Sequence, residues 1–510
     1  MRTLSVTTLI VAIAAGSLAA LPGFVRSDDS AAFLKAGFAE RDITPELGME
    51  QPGGYGKSYH RAVHDPCKVR AVVFDDGRHR AAIVGLDALV IRRATVQACR
   101  QAIHQRCGIA PEAILIAASH SHSSGPTGMI LPGEYDHADD FVQQLAYEKS
   151  SCADAMYLAR VQEQIVAAVC EADAKRAGAR CGVGKGIEDR VAFNRRFRMK
   201  NGLTFTHPGK GNPQIEEVAG PTDPEVGVLG VWSPEGQLVG CVVNFACHAT
   251  TSPGGISANY IYYLEQAIRG FYGPEAVVVF LAGACGDVTQ VDNLDPHQNP
   301  QPEQWARIVG GRVGAEAVKV LLSMEPGTLA PVEARVQTFT VNRRVPKPAR
   351  VAHCRELVKK EPAEVGHAEW TFAKEIVLLD ALLAKEPTKE IEVQVVQVGP
   401  AVFISNPAEY FCQFGLDIKK GSPFPFTFPV ELANGCVGYV PTEEALAAGG
   451  GGYETRLTSY SNLEPTAGRR MVEVGLELAR QLTPGPVPER PLAPPAKEPW
   501  SYGNVPPEVD

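Results

Sequence analysis

The chain has 510 residues, with 58 acidic and 49 basic side chains, a formal net charge of −9, 45% hydrophobic and 21% charged residues. This ordinary globular composition excludes collagen-like, disordered and coiled-coil classes, and an acidic balance whose longest basic run is Arg195-Arg196 with Arg198 excludes a nucleic-acid surface. At roughly 150 residues per domain the length allows about three domains or one large α/β body, with a sizeable core in either case.

Residues 1–30 read as an export signal. Arg2 supplies a positive start, Leu9 to Leu21 is apolar and Ala-rich, and Ser17-Leu18-Ala19 is a small-x-small cleavage site before Ala20. The apolar stretch falls short of the ~18 residues a spanning helix needs, so the expected product is a secreted or periplasmic protein, with a retained anchor as the alternative. Residues 31–485 are then expected to form the main folded body. Prolines 486, 488, 491, 494, 495, 499, 506 and 507 crowd the remainder, so 486–510 is expected to be an extended or disordered tail. Twelve cysteines, scattered from Cys67 to Cys436 without a C-x-x-C pair, predict few or no structural disulfides.

In chain order, Lys68–Asp76 and Ala81–Asp87 flank a turn and predict a hairpin. A helix from Arg92 to Cys107 ends at Gly108, and Ala113–Ala118 is a continuously apolar strand that runs into Ser119-His120-Ser121-His122-Ser123-Ser124-Gly125. Strands Val226–Trp232 and Leu238–Cys247 follow, the second ending at His248. Helix Tyr260–Tyr272 leads to strand Ala276–Ala282, which empties into Gly283-Ala284-Cys285-Gly286-Asp287-Val288-Thr289. Then come a helix from Pro302 to Met324, strands Ile391–Val398 and Ala401–Ser405 ending at Asn406-Pro407-Ala408-Glu409, and a last helix from Gly468 to Leu482. No internal repeat is evident in the sequence.

His120 with His122, His248, Asp287 with Thr289, and Glu409 each follow a strongly apolar strand. Ligands bind in the crevice outside the carboxyl ends of α/β strands, so residues distant in sequence can converge there. An H-x-H pair on extended backbone directs both imidazoles to one side, and two histidines plus a carboxylate are a common set for a catalytic zinc. His120, His248 and Glu409 fit that inventory. Individually such residues also arise wherever strands exit to surface loops.

These segments resemble a known family, the neutral, non-lysosomal ceramidases. Ser119–Gly128 (S-H-S-H-S-S-G-P-T-G) is similar to the family's H-T-H-S-G-P-x-G, with one extra Ser. Asn194-Arg195 resembles N-R-S, Asn244–His248 resembles F-A-x-H, and Gly286–Thr289 resembles G-D-V-S-P-N. Pro407–Tyr410 resembles P-G-E-F, Gly438–Thr442 resembles H-Y-x-T-T, and Tyr453-Glu454 answers a later Y-E. The matches keep the family's order and cover about residues 36 to 480. The resemblance implies an α/β, mixed-sheet zinc-hydrolase domain with its active site at strand carboxyl ends. It implies one zinc per chain, held by His120, His248, Glu409 and Tyr439. His122, Arg195 and Tyr453 would surround the attacking water and the scissile amide, and Thr289 would stand where the family has a functional Ser. The implied reaction is cleavage of N-acylsphingosine to fatty acid and sphingoid base, with a lipid or other N-acyl small molecule as substrate and peripheral membrane contact left open.

The chain departs from the family pattern at two places. Thr289-Gln290 replaces Ser-Pro, which puts substrate contact there in question. Family members also carry a C-terminal β-sandwich, whereas about 30 residues follow the last predicted helix, so that domain is not expected here. Met129-Ile130-Leu131 and the tyrosines 260, 262 and 263 could line an apolar groove, although the tyrosine helix fits plain core packing equally.

Three other readings stay open. Asp87 with His120, His122, His248 and Asp287 could form a two-metal phosphoesterase set, although Asp87 also reads as a structural strand-end carboxylate and Asp287 as the cap of a Gly-flanked turn. The same zinc machinery could serve another amide or an ester. The protein could instead be a non-catalytic binding module. Gly449–Gly452 reads as an active-site flap, and Gly182–Gly186 lacks the spacing of a P-loop.

Overall fold

The fold repeats one topological phrase three times: an antiparallel hairpin, a helix, and a strand that returns parallel to the hairpin's second strand. In a computed structural model describing residues 34–495, 500, 502–503 and 505–510, the first copy is Lys68–Asp75, Arg80–Leu86, helix Arg93–Cys107 and strand Ile114–Ala118. The second is Glu225–Trp232, Leu238–Phe245, helix Tyr260–Tyr272 and Val277–Ala282. The third is Thr388–Val398, Ala401–Ser405, helix Cys412–Gly421 and Phe426–Val430. The repetition is one of topology, because many unrelated apolar runs satisfy the same two-face burial. The predicted export segment lies outside the described residues.

Local chemistry sets these elements. In the first hairpin turn Asp76 Oδ1 accepts the N–H groups of Arg78 and His79 at 2.9 and 2.8 Å, closing a side-chain-braced turn. Helix Arg93–Cys107 ends on Gly108 at φ 70°, the left-handed position that glycine tolerates, and its N–H bonds the His104 carbonyl. Each return strand is buried along nearly its whole length, as strands covered on both faces are.

Flanking strands complete three mixed sheets. Lys35–Asp42 and Ala177–Gly178 extend the first to five strands, Arg180–Ile187 extends the second to four, and Val332–Asn342 extends the third to four. Helix Ala155–Ala174 packs on the first sheet, Pro302–Ser323 on the second and Ala467–Arg480 on the third. The first two sheets meet closely at Gly85, where a Cβ would strike the Phe280 carbonyl oxygen. The described residues form one compact unit, the single-body alternative of the two that length allows.

The predicted hairpins and helices appear within a few residues of their expected ends. Lys35–Asp42, Ala155–Ala174 and His367–Lys385 are elements the sequence reading does not single out. Gly182–Gly186 lies in strand Arg180–Ile187. Among the described residues of 486–510 there is no helix or strand, and among all described residues no helix is long and apolar enough to cross a membrane.

Candidate metal centre

Strand ends from all three copies converge, though not equivalent ones. The first copy's return strand, Ile114–Ala118, delivers His120, and the middle strands of the second and third deliver His248 and Glu409. All three side chains are buried. His120 Nε2 and His248 Nε2 each lie 3.2 Å from Glu409 Oε2. His122 Nε2 lies 3.2 Å from His120 Nε2, and one ring nitrogen from each of His120, His122 and His248 falls within 4.8 Å of the others.

The expected geometry of the H-x-H segment differs. His120 is not extended: its φ is 62°, in the left-handed region that β-carbon sterics disfavour by roughly 1–2 kcal/mol. What holds it there is its Nδ1, which donates to the Leu89 carbonyl at 3.0 Å. The two imidazoles therefore meet because the turn bends them together, not because of period-two alternation.

Tautomers follow from those partners. A carbonyl only accepts, so the Nδ1 of His120 carries a proton, and so does that of His248, which donates to the Cys285 carbonyl at 2.6 Å. In the neutral rings both Nε2 lone pairs then face the Glu409 carboxylate. Three acceptors pointed at one another repel unless a cation or a proton stands between them. This donor set fits a metal ion: two oriented imidazoles and a carboxylate, with outer hydrogen bonds fixing the rings.

Burial dominates the electrostatics. It lowers the pKa of His248 to about 3, with Arg195 adding to the effect. Burial, then His120 and His248, hold His122 well below the usual imidazole value. His120 also suffers burial, but nearby Glu409 outweighs it and raises the pKa, while His120 in turn holds Glu409 well below the ordinary carboxylate range against its own desolvation.

A second layer surrounds this centre. Arg195 is clamped by Glu454 and the Gly286 carbonyl, both at 2.7 Å, and its Nη2 donates to the Tyr439 and Tyr453 hydroxyls at 3.1 and 3.2 Å. The two phenols are 2.5 Å apart. Burial pushes Tyr453 up to about 12, although Arg195 pulls the other way. A small cavity over the centre is lined by His120, His122, Glu409, Tyr439 and Tyr453, with Tyr55, Met129 and Tyr460 among the rest. Thr289 uses its hydroxyl otherwise, bonding Gln290 Oε1 at 2.8 Å near Thr250.

No protein-family model matches the chain, and no curated protein matches it in sequence. Among solved structures, a neutral ceramidase from Pseudomonas aeruginosa superposes with a TM-score of 0.66 at 19% identity, covering 90% of this chain and 77% of that one. A ceramidase complexed with C2 superposes with a TM-score of 0.63 at 18% identity, covering 91% and 77%. The chain has the neutral ceramidase fold.

On that fold, Asp87 and Asp287 have structural partners. Asp87 accepts from Arg70 Nη1 at 2.8 Å, and Asp287 accepts from Asn194 at 2.8 Å and from the Cys412 N–H that opens helix Cys412–Gly421. Tyr260 is buried and bonds the Cys247 carbonyl, which makes it a core residue, whereas Met129, Ile130 and Leu131 do border the cavities. Gly449–Gly452 is tied down rather than free: Arg196 donates twice to the Gly451 carbonyl, at 3.0 and 2.7 Å, and Gly451 bridges to Thr204. Tyr55 and Tyr460 are site residues that sequence reasoning missed. Each lies in a loop whose local pattern carries no chemical signal.

Proposed function

We propose that the protein is an exported, zinc-dependent hydrolase that cleaves an N-acyl amide bond by a ceramidase-type reaction. The observation that carries this reading is the convergence of the His120 and His248 lone pairs on Glu409 at 3.2 Å, which a divalent ion resolves. His120, His248 and Glu409 would hold the zinc, with Tyr439 as the fourth protein ligand, as the family resemblance implies. Bound there, zinc supplies Lewis acidity that activates water and polarises a carbonyl.

The chain's own residues do the rest. His122, kept neutral by burial, accepts a proton from the attacking water. Tyr453 keeps its phenolic proton at neutral pH because its pKa lies near 12, so it donates a hydrogen bond to the developing oxyanion. Arg195 holds Tyr453 and Tyr439 in place and contributes positive charge. The water oxygen bonds to the acyl carbon, the carbon–nitrogen bond breaks, and the proton passes to the leaving nitrogen. The products are a carboxylic acid and an amine. Thr289 is proposed to shape the site's edge through its bond to Gln290.

Elemental analysis of the purified protein, run beside acid release from a short-chain N-acylsphingosine, tests the reading. About one zinc per chain and hydrolysis abolished by a chelator are expected. Protein that takes up no zinc overturns it.

A further inference from the structure

The cavity over the metal centre does not end there. Tyr55, Met129 and Tyr460 border both this space and a neighbouring chamber that is open in part to solvent. The chamber in turn shares Arg92, Lys389, Cys436 and Val437 with an outer pocket that reaches the surface. A substrate whose amide sits at the centre extends one arm along this route.

The walls of the chamber are charged. Arg92 pairs with Glu134 at 2.6 Å, and Glu375 pairs with Lys374 at 3.2 Å. Arg343 and Lys389 both turn to one carboxylate, Glu386, at 2.7 and 3.0 Å. Two cations therefore share a single negative charge. Lys389 keeps 21% of its side chain exposed, so its ammonium is free to take a second partner. The Ser151 hydroxyl, also on the chamber wall, is 1% exposed and has no hydrogen-bond partner within the protein.

A hydrocarbon arm suits this space poorly. It would displace water from Lys389, Arg343 and Ser151 and return no hydrogen bond, and burying polar groups unpaired is unfavourable. Met129, Ile130, Tyr135, Leu382 and Val437 line the wall between these charges, so an apolar arm would find contacts but would still leave the charged groups unpaired. An arm that ends in an anion instead pairs with the surplus cation that Arg343 and Lys389 leave over.

We propose that the arm of the substrate lying in this chamber is short and polar and ends in a carboxylate-class anion bound by Lys389, so that the enzyme prefers an N-acyl amide with one such polar arm over one with two long hydrocarbon chains. This inference rests on the amidase reading above and names its substrate class. Binding to the full-length chain is measured by calorimetry with adipate, hexanoate and dodecanoate, which share one carboxylate end. Adipate is expected to bind about tenfold more tightly than hexanoate, the size of one charge-assisted contact. Lys389→Gln should narrow that ratio to about twofold and Lys389→Glu should reverse it; circular dichroism establishes that both variants are folded. Tightest binding of dodecanoate, or an adipate preference that survives in both folded variants, overturns the proposal.

Turnover separates the two readings. The zinc-loaded protein is given adipoyl, hexanoyl and dodecanoyl amides of one amine. Preference for the adipoyl amide supports both, and preference for the dodecanoyl amide removes the polar-arm inference while keeping the amidase. Failure to cleave any of them, with the adipate preference in binding intact, removes the amidase reading and leaves the anion-binding chamber.

Discussion

Two buried ionic clusters lie at the ends of equivalent strands, and only one of them asks for an ion. After the middle strand of the first copy stands Asp87, bonded to Arg70 at 2.8 Å, with Glu265 against the same guanidinium and against Lys68 at 2.8 Å. After the middle strand of the third copy stands Glu409, facing two imidazoles whose protons point elsewhere. The topology that delivers a carboxylate is the same in both. What faces it differs: a permanent cation closes the first cluster, while the second brings only lone pairs. A strand-end carboxylate is therefore structural or metal-binding according to the proton inventory of its partners, not its place in the fold.

The largest effect that tests this contrast comes from removing an acceptor at the open cluster. His120→Ala and Glu409→Ala should each take zinc from about one per chain to near zero and abolish hydrolysis with it. Stripping zinc from the unaltered protein should lower its thermal midpoint, since a ligand present at 100 times its dissociation constant stabilises by about 2.7 kcal/mol. Metal content and a melting curve check both.

At the closed cluster the expected loss is of stability rather than metal. Arg70→Met leaves Asp87 and Glu265 buried without that guanidinium and should destabilise by about 3–5 kcal/mol in urea unfolding, with zinc content unchanged. Loss of metal in folded Arg70→Met would erase the distinction between the clusters. Arg195→Ala falls between the two, because Arg195 touches neither His120 nor His248 by hydrogen bond yet holds both phenols. It should keep zinc and lower kcat by about 10²–10³, the scale of a lost oxyanion donor, because it releases the Tyr453 hydroxyl that serves as that donor.

These contrasts also explain how much was legible beforehand. Apolar runs that stop at a polar residue marked His120, His248 and Glu409 as candidates, and by the same signal marked Asp287, whose partners are structural. Tyr439 and Tyr453 came only through family resemblance, because a two-residue strand and a single helical turn have no period to detect. The left-handed turn at His120 was invisible, as a non-glycine residue reaches it only when tertiary bonds hold it there. The charged chamber escaped as well. Arg92, Arg343, Glu375 and Lys389 come from four separate places in the chain, and each alone reads as a solvated surface charge.

The smallest predicted effect concerns a third strand-end carboxylate, Glu431, which directly follows the return strand of the third copy. Its partners are the Cys285 and Tyr410 N–H groups at 2.9 and 3.0 Å and the Cys285 thiol. Burial raises its pKa to about 7, only partly offset by those hydrogen bonds. The folded state therefore holds a proton that the unfolded chain releases near pH 4.5, so stability contributed by this group is complete below that pH and is lost as pH rises to about 7. Glu431→Gln keeps an oxygen for the two N–H groups and has no proton to lose. Urea unfolding of the zinc-free protein at pH 5 and pH 8 should show a decline on the order of 1–3 kcal/mol that Glu431→Gln abolishes. A decline equally steep in the variant would assign it to other groups and place Glu431 with Asp87, as a carboxylate whose charge is already matched.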